Sequence, residues 1–225
     1  MKMQKIIGVV CLCGFMVSCA VKAPIPKSGL FSVVNEFKQF EDSHLFYYIN
    51  DDNLENLTTV KVIQINNVTV SFKEVQEPRH SILRQNIQLF EERLYYNAVR
   101  ELSPPLIICR PHDSIRHYEE LAYVIADLQI DIVEVKYGSG LLRYLIGFGA
   151  GGVLIHVEGI LKDSESNRKY AEFIFRERCT GEPMMGLNFR VMSKKYCLRG
   201  GLDKAAEAIA AFCQTLLIPE QVLEK

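Results

Sequence analysis

Tryptophan is absent from this chain of 225 residues, and so are the short signatures of the commoner chemistries. No Cys-x-x-Cys pair occurs, which excludes a thioredoxin-type dithiol and a zinc knuckle. No serine stands in a Gly-x-Ser-x-Gly elbow, and no cysteine has a histidine beside it to act as its base. Charge of one sign is not in excess: the formal net charge is −1, so there is no electrostatic footprint for nucleic acid. Internal repeats and low-complexity stretches are missing too. The apolar run at the N-terminus, Ile6 to Val17, covers about a dozen residues, whereas a membrane-spanning helix needs roughly 20. No transmembrane helix is therefore expected.

That run has a different reading. Lys2 and Lys5 precede it, and small residues close it at Ser18-Cys19-Ala20, which is the layout of a secretory signal. The stretch Met16-Val17-Ser18-Cys19 resembles the lipobox of bacterial lipoproteins, with Met16 where leucine is commoner. Cys11 and Cys13 follow the bulky Val10 and Leu12 inside the apolar run, so Cys19 is the better lipidation site; an ordinary cleaved signal is the alternative. The resemblance implies several acyl chains on Cys19. Each buried methylene contributes about 0.8 kcal/mol, so several chains hold durably where one holds marginally. Ala20 takes the place of the aspartate that usually retains such proteins at the inner membrane, which points to the outer membrane, facing the periplasm. Loss of Lys2 and Lys5 takes the net charge from −1 to about −3.

The expected organisation is residues 1–18 as signal, 19–30 as lipidated N-terminus and tether, 31–218 as one periplasmic domain, and 219–225 as a tail. Pro24 and Pro26 mark the tether as non-helical. Leu45 to Asn50 reads as a short strand. Val60 to Phe72 alternates as one bent strand or two short ones around Asn66-Asn67. Leu83, Ile87, Phe90, Leu94 and Ala98 recur at helical spacing, so a helix is predicted over Ser81 to Leu102, with Ser81 as N-cap. Leu106 to Cys109 reads as a short buried strand, and Pro111 to Glu120 as a loop or single turn. Tyr123 to Tyr137, Val153 to Leu161 and Tyr170 to Cys179 read as longer strands, the last two a hairpin. Gly181 to Gly201 reads as irregular, and Leu202 to Leu217 as the second helix. This order predicts an α+β two-layer sandwich: a mostly antiparallel sheet with both helices on one face.

Two stretches carry a resemblance. Ser28-Gly29-Leu30-Phe31, with Tyr48-Ile49-Asn50 and Leu57-Thr58-Thr59-Val60-Lys61-Val62, resembles the opening of one family of proteobacterial lipoproteins. Arg143-Tyr144-Leu145-Ile146-Gly147-Phe148-Gly149-Ala150-Gly151 resembles the signature of a second. These are the domain-of-unknown-function families 3313 and 4410. The resemblance implies an envelope location and a fold, and it brings no catalytic residue. The order of elements is also similar to periplasmic domains of curli-secretion and peptidoglycan-synthase-activating lipoproteins, which act by binding and assembly; that is analogy of fold.

Candidate sites are few. In an oxidising compartment Cys179 and Cys197 are the favoured disulfide, because they flank one irregular loop; Cys109 and Cys213 read as buried thiols. The glycine-rich segment Gly138 to Gly152 leads into a strand rather than a helix, which is not the setting of a phosphate-binding loop. Its Leu141, Leu142, Arg143, Tyr144 and Phe148 either fill the core or form an apolar loop that meets a partner or the membrane. His112, Asp113 and His117, with Glu119 and Glu120, lack the spacing of a metal site, and His156 reads as a surface or packed strand histidine. No cofactor, metal or catalytic set is expected. The reading is a non-enzymatic envelope lipoprotein with an envelope protein partner. The alternatives are a periplasmic enzyme with an unrecognised site and a ring- or pore-forming homo-oligomer.

Overall fold

The computed structural model describes residues 24–31, 36–50, 52, 54–71, 79–137, 152–179 and 194–218. Cys19, the signal and the loop residues Leu141, Leu142, Arg143, Tyr144 and Phe148 lie outside them. The strands are β1 (Lys38–Gln39), β2 (Leu45–Ile49), β3 (Val60–Ile65), β4 (Thr69–Val70), β5 (Ile107–Cys109), β6 (Val124–Tyr137), β7 (Val153–Asp163) and β8 (Lys169–Cys179). The helices are α1 (Leu54–Leu57), α2 (Arg79–Leu102), α3 (Arg116–Glu120) and α4 (Lys194–Leu217). The fold is the expected α+β sandwich: one sheet in the order β1-β2-β8-β7-β6-β3-β5, with β4 also paired to β6, and helices packed against it.

Alternation along the long strands separates the two faces. Ile155, Val157 and Leu161 of β7 point at the helices, as do Leu128, Ile130 and Ile132 of β6 and Phe173 and Phe175 of β8. They meet Phe90, Leu94 and Ala98 of α2 and Leu202, Ala206, Ile209 and Cys213 of α4 in a single core. The two helices are also tied directly, Gln214 Nε2 donating to the Glu101 carbonyl at 2.9 Å. Gly159 marks the tightest approach, for a Cβ there would lie 2.2 Å from Phe173 Cζ and 2.9 Å from the Gln129 carbonyl. Among the described residues no helix is long and apolar enough to cross a membrane.

Several expectations are corrected. The sheet is antiparallel through β1, β2, β8, β7 and β6, but β3 runs parallel to both β5 and β6, and β4 parallel to β6. Helix α2 supplies the long crossover that parallel neighbours need. It begins at Arg79, so Ser81 lies inside it rather than at its cap. Helix α4 begins at Lys194, well before Leu202, and takes in Gly200 and Gly201. Within the expected tether of residues 19–30, Lys27, Ser28 and Leu30 bond to the sheet and Pro24 is buried.

Candidate functional site

The face of the sheet turned away from α2 and α4 is polar, and it is buried. His156 and Glu158 are 0% exposed although they interrupt an apolar strand. They alternate with the core residues Ile155 and Val157, so both project to the far side. Register places Glu134 of β6 and Arg176 of β8 on either side of His156, and Asp131 across from Glu158. Glu134, Asp131 and Glu172 are buried as well. Ionisable groups are rarely so buried unless they are paired.

The partner of the two central acids is the segment of residues 24–31, here called the strap. Pro24 and Pro26 fix its backbone and disfavour helix in the residues before them. Lys27 and Ser28 follow as two consecutive residues with amide hydrogens to donate. Both amides go to one carboxylate: Lys27 N to Glu158 Oε1 at 2.6 Å and Ser28 N to Glu158 Oε2 at 2.9 Å. The Ser28 hydroxyl donates to Glu158 Oε2 as well. The Lys27 ammonium reaches Glu134 at 2.5 Å, on the neighbouring strand, and Lys136 pairs with the other Glu134 oxygen. Further along, Lys169 Nζ donates to the Leu30 carbonyl at 2.6 Å and to Glu172 at 2.9 Å. The strap is thus held by charge-assisted bonds from three strands.

The electrostatics follow from these contacts. Burial alone would raise the Glu134 carboxyl, but the bonds from Lys136 and Lys27 outweigh it and hold the pKa at about 2. Glu158 is also held below its ordinary value: burial opposes this, and His156, Ser28 and Lys27 prevail. His156 Nε2 lies 2.9 Å from Glu158 Oε1. The order of contacts matters chemically. Ser28 bonds to the carboxylate and not to the imidazole, so it is not poised to lose a proton to His156 as a nucleophile would be. The arrangement is a clasp for backbone. It is not optimised for stability alone, since His156 Nδ1 and Arg176 Nε are buried without a hydrogen-bond partner among the described residues, at a cost of about 1–3 kcal/mol for each such group.

The residues singled out in the sequence fare differently. Cys179 ends β8 and Cys197 lies in the second turn of α4; no disulfide joins them. His112 is exposed in the loop before α3, His117 is exposed on α3, and Asp113 accepts the Arg110 amide at 2.6 Å to close that loop. Among the described residues, no three His, Cys, Asp or Glu side chains gather where they could hold a metal ion. His156 is a packed histidine. The clasp itself was missed. Its local trace in the sequence is the pair His156 and Glu158 inside a run that is otherwise apolar, a pattern that also fits a solvated face.

No family model matches the chain, and no curated protein does. The likeness to families 3313 and 4410 therefore rests on the quoted residues. Solved structures overlap in part. A PelC dodecamer from Paraburkholderia phytofirmans is 11% identical, with 77% of this chain and 95% of that one covered at a TM-score of 0.40. Protein XCC0632 from Xanthomonas campestris, of domain-of-unknown-function family 330, is 11% identical over 75% and 90% at 0.39. Protein CT253 from Chlamydia trachomatis is 10% identical over 68% and 98% at 0.38. Overlap this partial transfers no property of those proteins to this chain.

Proposed function

We propose that this chain is an envelope lipoprotein, acylated at Cys19, held at the periplasmic face of the outer membrane, and active through binding or assembly rather than catalysis. The observation that carries the reading is the clasp. The domain devotes two buried carboxylates to gripping the segment that begins five residues after Cys19. A grip at that place suits a protein loaded through its N-terminus.

The course of the strap supports a further element of the reading. From Leu30 back to Lys27 its contacts move from Lys169, at the start of β8, toward Glu134, near the end of β6 at Tyr137. The glycine-rich loop joins Tyr137 to Val153 at that same end of the sheet. Within the sequence that joins these two strand ends, Leu141, Leu142, Arg143, Tyr144 and Phe148 are the side chains we propose for contact with lipid or an envelope protein partner.

Radiolabelled palmitate and membrane fractionation test the anchor. Wild-type protein should take up label and sediment with the outer membrane, and Cys19→Ala should do neither. Label on the Cys19→Ala protein, or wild-type protein in the soluble fraction, would sink the anchoring. Crosslinking on intact cells tests the binding role. Recovery of only the lipoprotein itself at native levels would count against a separate partner.

A further inference from the structure

Four cysteines lie in the described residues, and the topology brings only two of them to one place. Cys179 ends β8 with its side chain laid on α4: a Cβ on Gly201 would lie 3.5 Å from the Cys179 Cβ, and one on Gly200 would lie 3.9 Å from its Sγ. Cys197 precedes those glycines by three and four residues, which is one helical turn on the same face. It is buried in the core cluster against which Cys179 packs. The Cβ atoms of residues one turn apart on a helix are about 5–6 Å from each other. Cys179 and Cys197 thus lie on one helix face within one turn of each other, a range that includes the Cβ separation of about 3.8 Å that a disulfide needs. Gly201 leaves room for this packing, since a Cβ there would lie 2.3 Å from Ile155 Cδ1 and that side chain would have to move.

The other two thiols are elsewhere. Cys213 follows Cys197 by sixteen residues on α4, about 24 Å along the axis. Cys109 is on β5, with β7, β6 and β3 between it and β8, so about 19 Å separates the two strands. Burial also raises both thiols, Cys213 to about 12, which keeps them protonated and poor in exchange.

We propose that Cys179 and Cys197 form a redox-dependent staple between the end of β8 and the start of α4. The co-reactant is a disulfide, either oxidised glutathione or an oxidised dithiol protein. One thiolate attacks it and expels a thiol, leaving a mixed disulfide on this chain. The second thiolate then attacks the sulfur of the first cysteine and expels the oxidant's remaining thiol. One sulfur–sulfur bond forms here as one is consumed, and two electrons and two protons pass to the oxidant. The staple closes the connection between β8 and α4 at the sheet end where Tyr137 and Val153 also lie. Its occurrence in the cell rests on the envelope placement proposed above. Its chemistry does not.

The test is oxidation of the purified full chain with oxidised glutathione, followed by alkylation under denaturing conditions and non-reducing peptide mapping. The expected product is a peptide pair joining Cys179 to Cys197, with Cys109 and Cys213 alkylated and a mass lower by two hydrogens. Cys179→Ser and Cys197→Ser should each abolish the pair, and Cys109→Ser should not. The wild-type map alone decides the matter if a variant fails to fold. Alkylation of both Cys179 and Cys197, or a bond from either to any other cysteine, would overturn the staple. If the staple forms in the test tube while protein from cells is reduced, the envelope placement fails and the staple stands.

Discussion

At the scale of single residues, two positions concentrate the constraints of this fold. Gly159 has no room for a methyl group, because the Phe173 ring from the neighbouring strand and the Gln129 carbonyl occupy it. Gly159→Ala should therefore cost about 1–3 kcal/mol by overpacking. Urea denaturation reads this as a lowered midpoint at unchanged slope, and a wild-type midpoint would refute the crowding. Glu158 receives two strap amides and a hydroxyl at a position with no exposure. Glu158→Gln keeps the shape but loses one acceptor and the charge. The loss of about 2 kcal/mol of strap docking corresponds to a roughly 30-fold larger population of detached strap. Limited trypsin digestion should cut after Lys27 faster in the variant by about that factor while the remaining domain resists. Equal cutting rates would mean that Glu158 does not hold the strap. Neither role was legible in the sequence. Gly159 sits in a strand where a glycine often marks a bulge, and its reason is a ring fourteen residues away. Glu158 and Lys27 are separated by 131 positions, and no local pattern reports a partner at that distance.

At the scale of elements, hydrophobic periodicity located most strands and helices, and it failed where a tertiary contact overrode a local preference. Gly200 and Gly201 look like the end of an irregular stretch. They lie inside α4, where Gly201 packs against Ile155 and Cys179 with little room for a Cβ. Parallel pairing of β3 with β5 and β6 was not legible either. Alternation gives a strand its faces but not its neighbours. The strap seals the polar row on β6 and β7. That seal has a pH signature. Glu134 has a folded-state pKa of about 2 against an ordinary 4.5, so it stabilises the folded, strapped state above pH 4.5, and this contribution is lost as pH falls from 4.5 to 2. The lysines it binds are 41% and 70% exposed, so the contribution is on the order of 1–2 kcal/mol. Glu158 acts in the same direction. Strap protection from proteolysis by an acid-tolerant protease should hold from pH 7 to 5 and decline below pH 4. A decline centred near pH 6 would assign control to another group. The strap is thus a fixture at neutral and mildly acidic pH.

At the scale of the whole molecule, the strap belongs to the domain. Its removal would take from Glu158 its three strap donors and from Glu134 one of its two lysines, and a hydrogen bond to a charged group contributes about 1.5–3 kcal/mol. A chain starting at Pro24 should melt like one starting at Cys19. One starting at Glu36 should melt roughly 6–15 °C lower. Calorimetry on the two purified forms checks this, and matching transitions would show that the strap adds nothing to stability.

The same feature sets a distance. An extended residue spans at most about 3.5 Å, so the five steps from Cys19 to Pro24 reach roughly 17 Å. Were the chain loose as far as β1, some eighteen steps would reach roughly 60 Å. With Cys19 seated in a bilayer, the clasp therefore converts a floating buoy into a hull moored against the quay. The lipid proposed at Cys19 would then hold the domain within roughly its own diameter of the headgroups, in reach of membrane-borne neighbours.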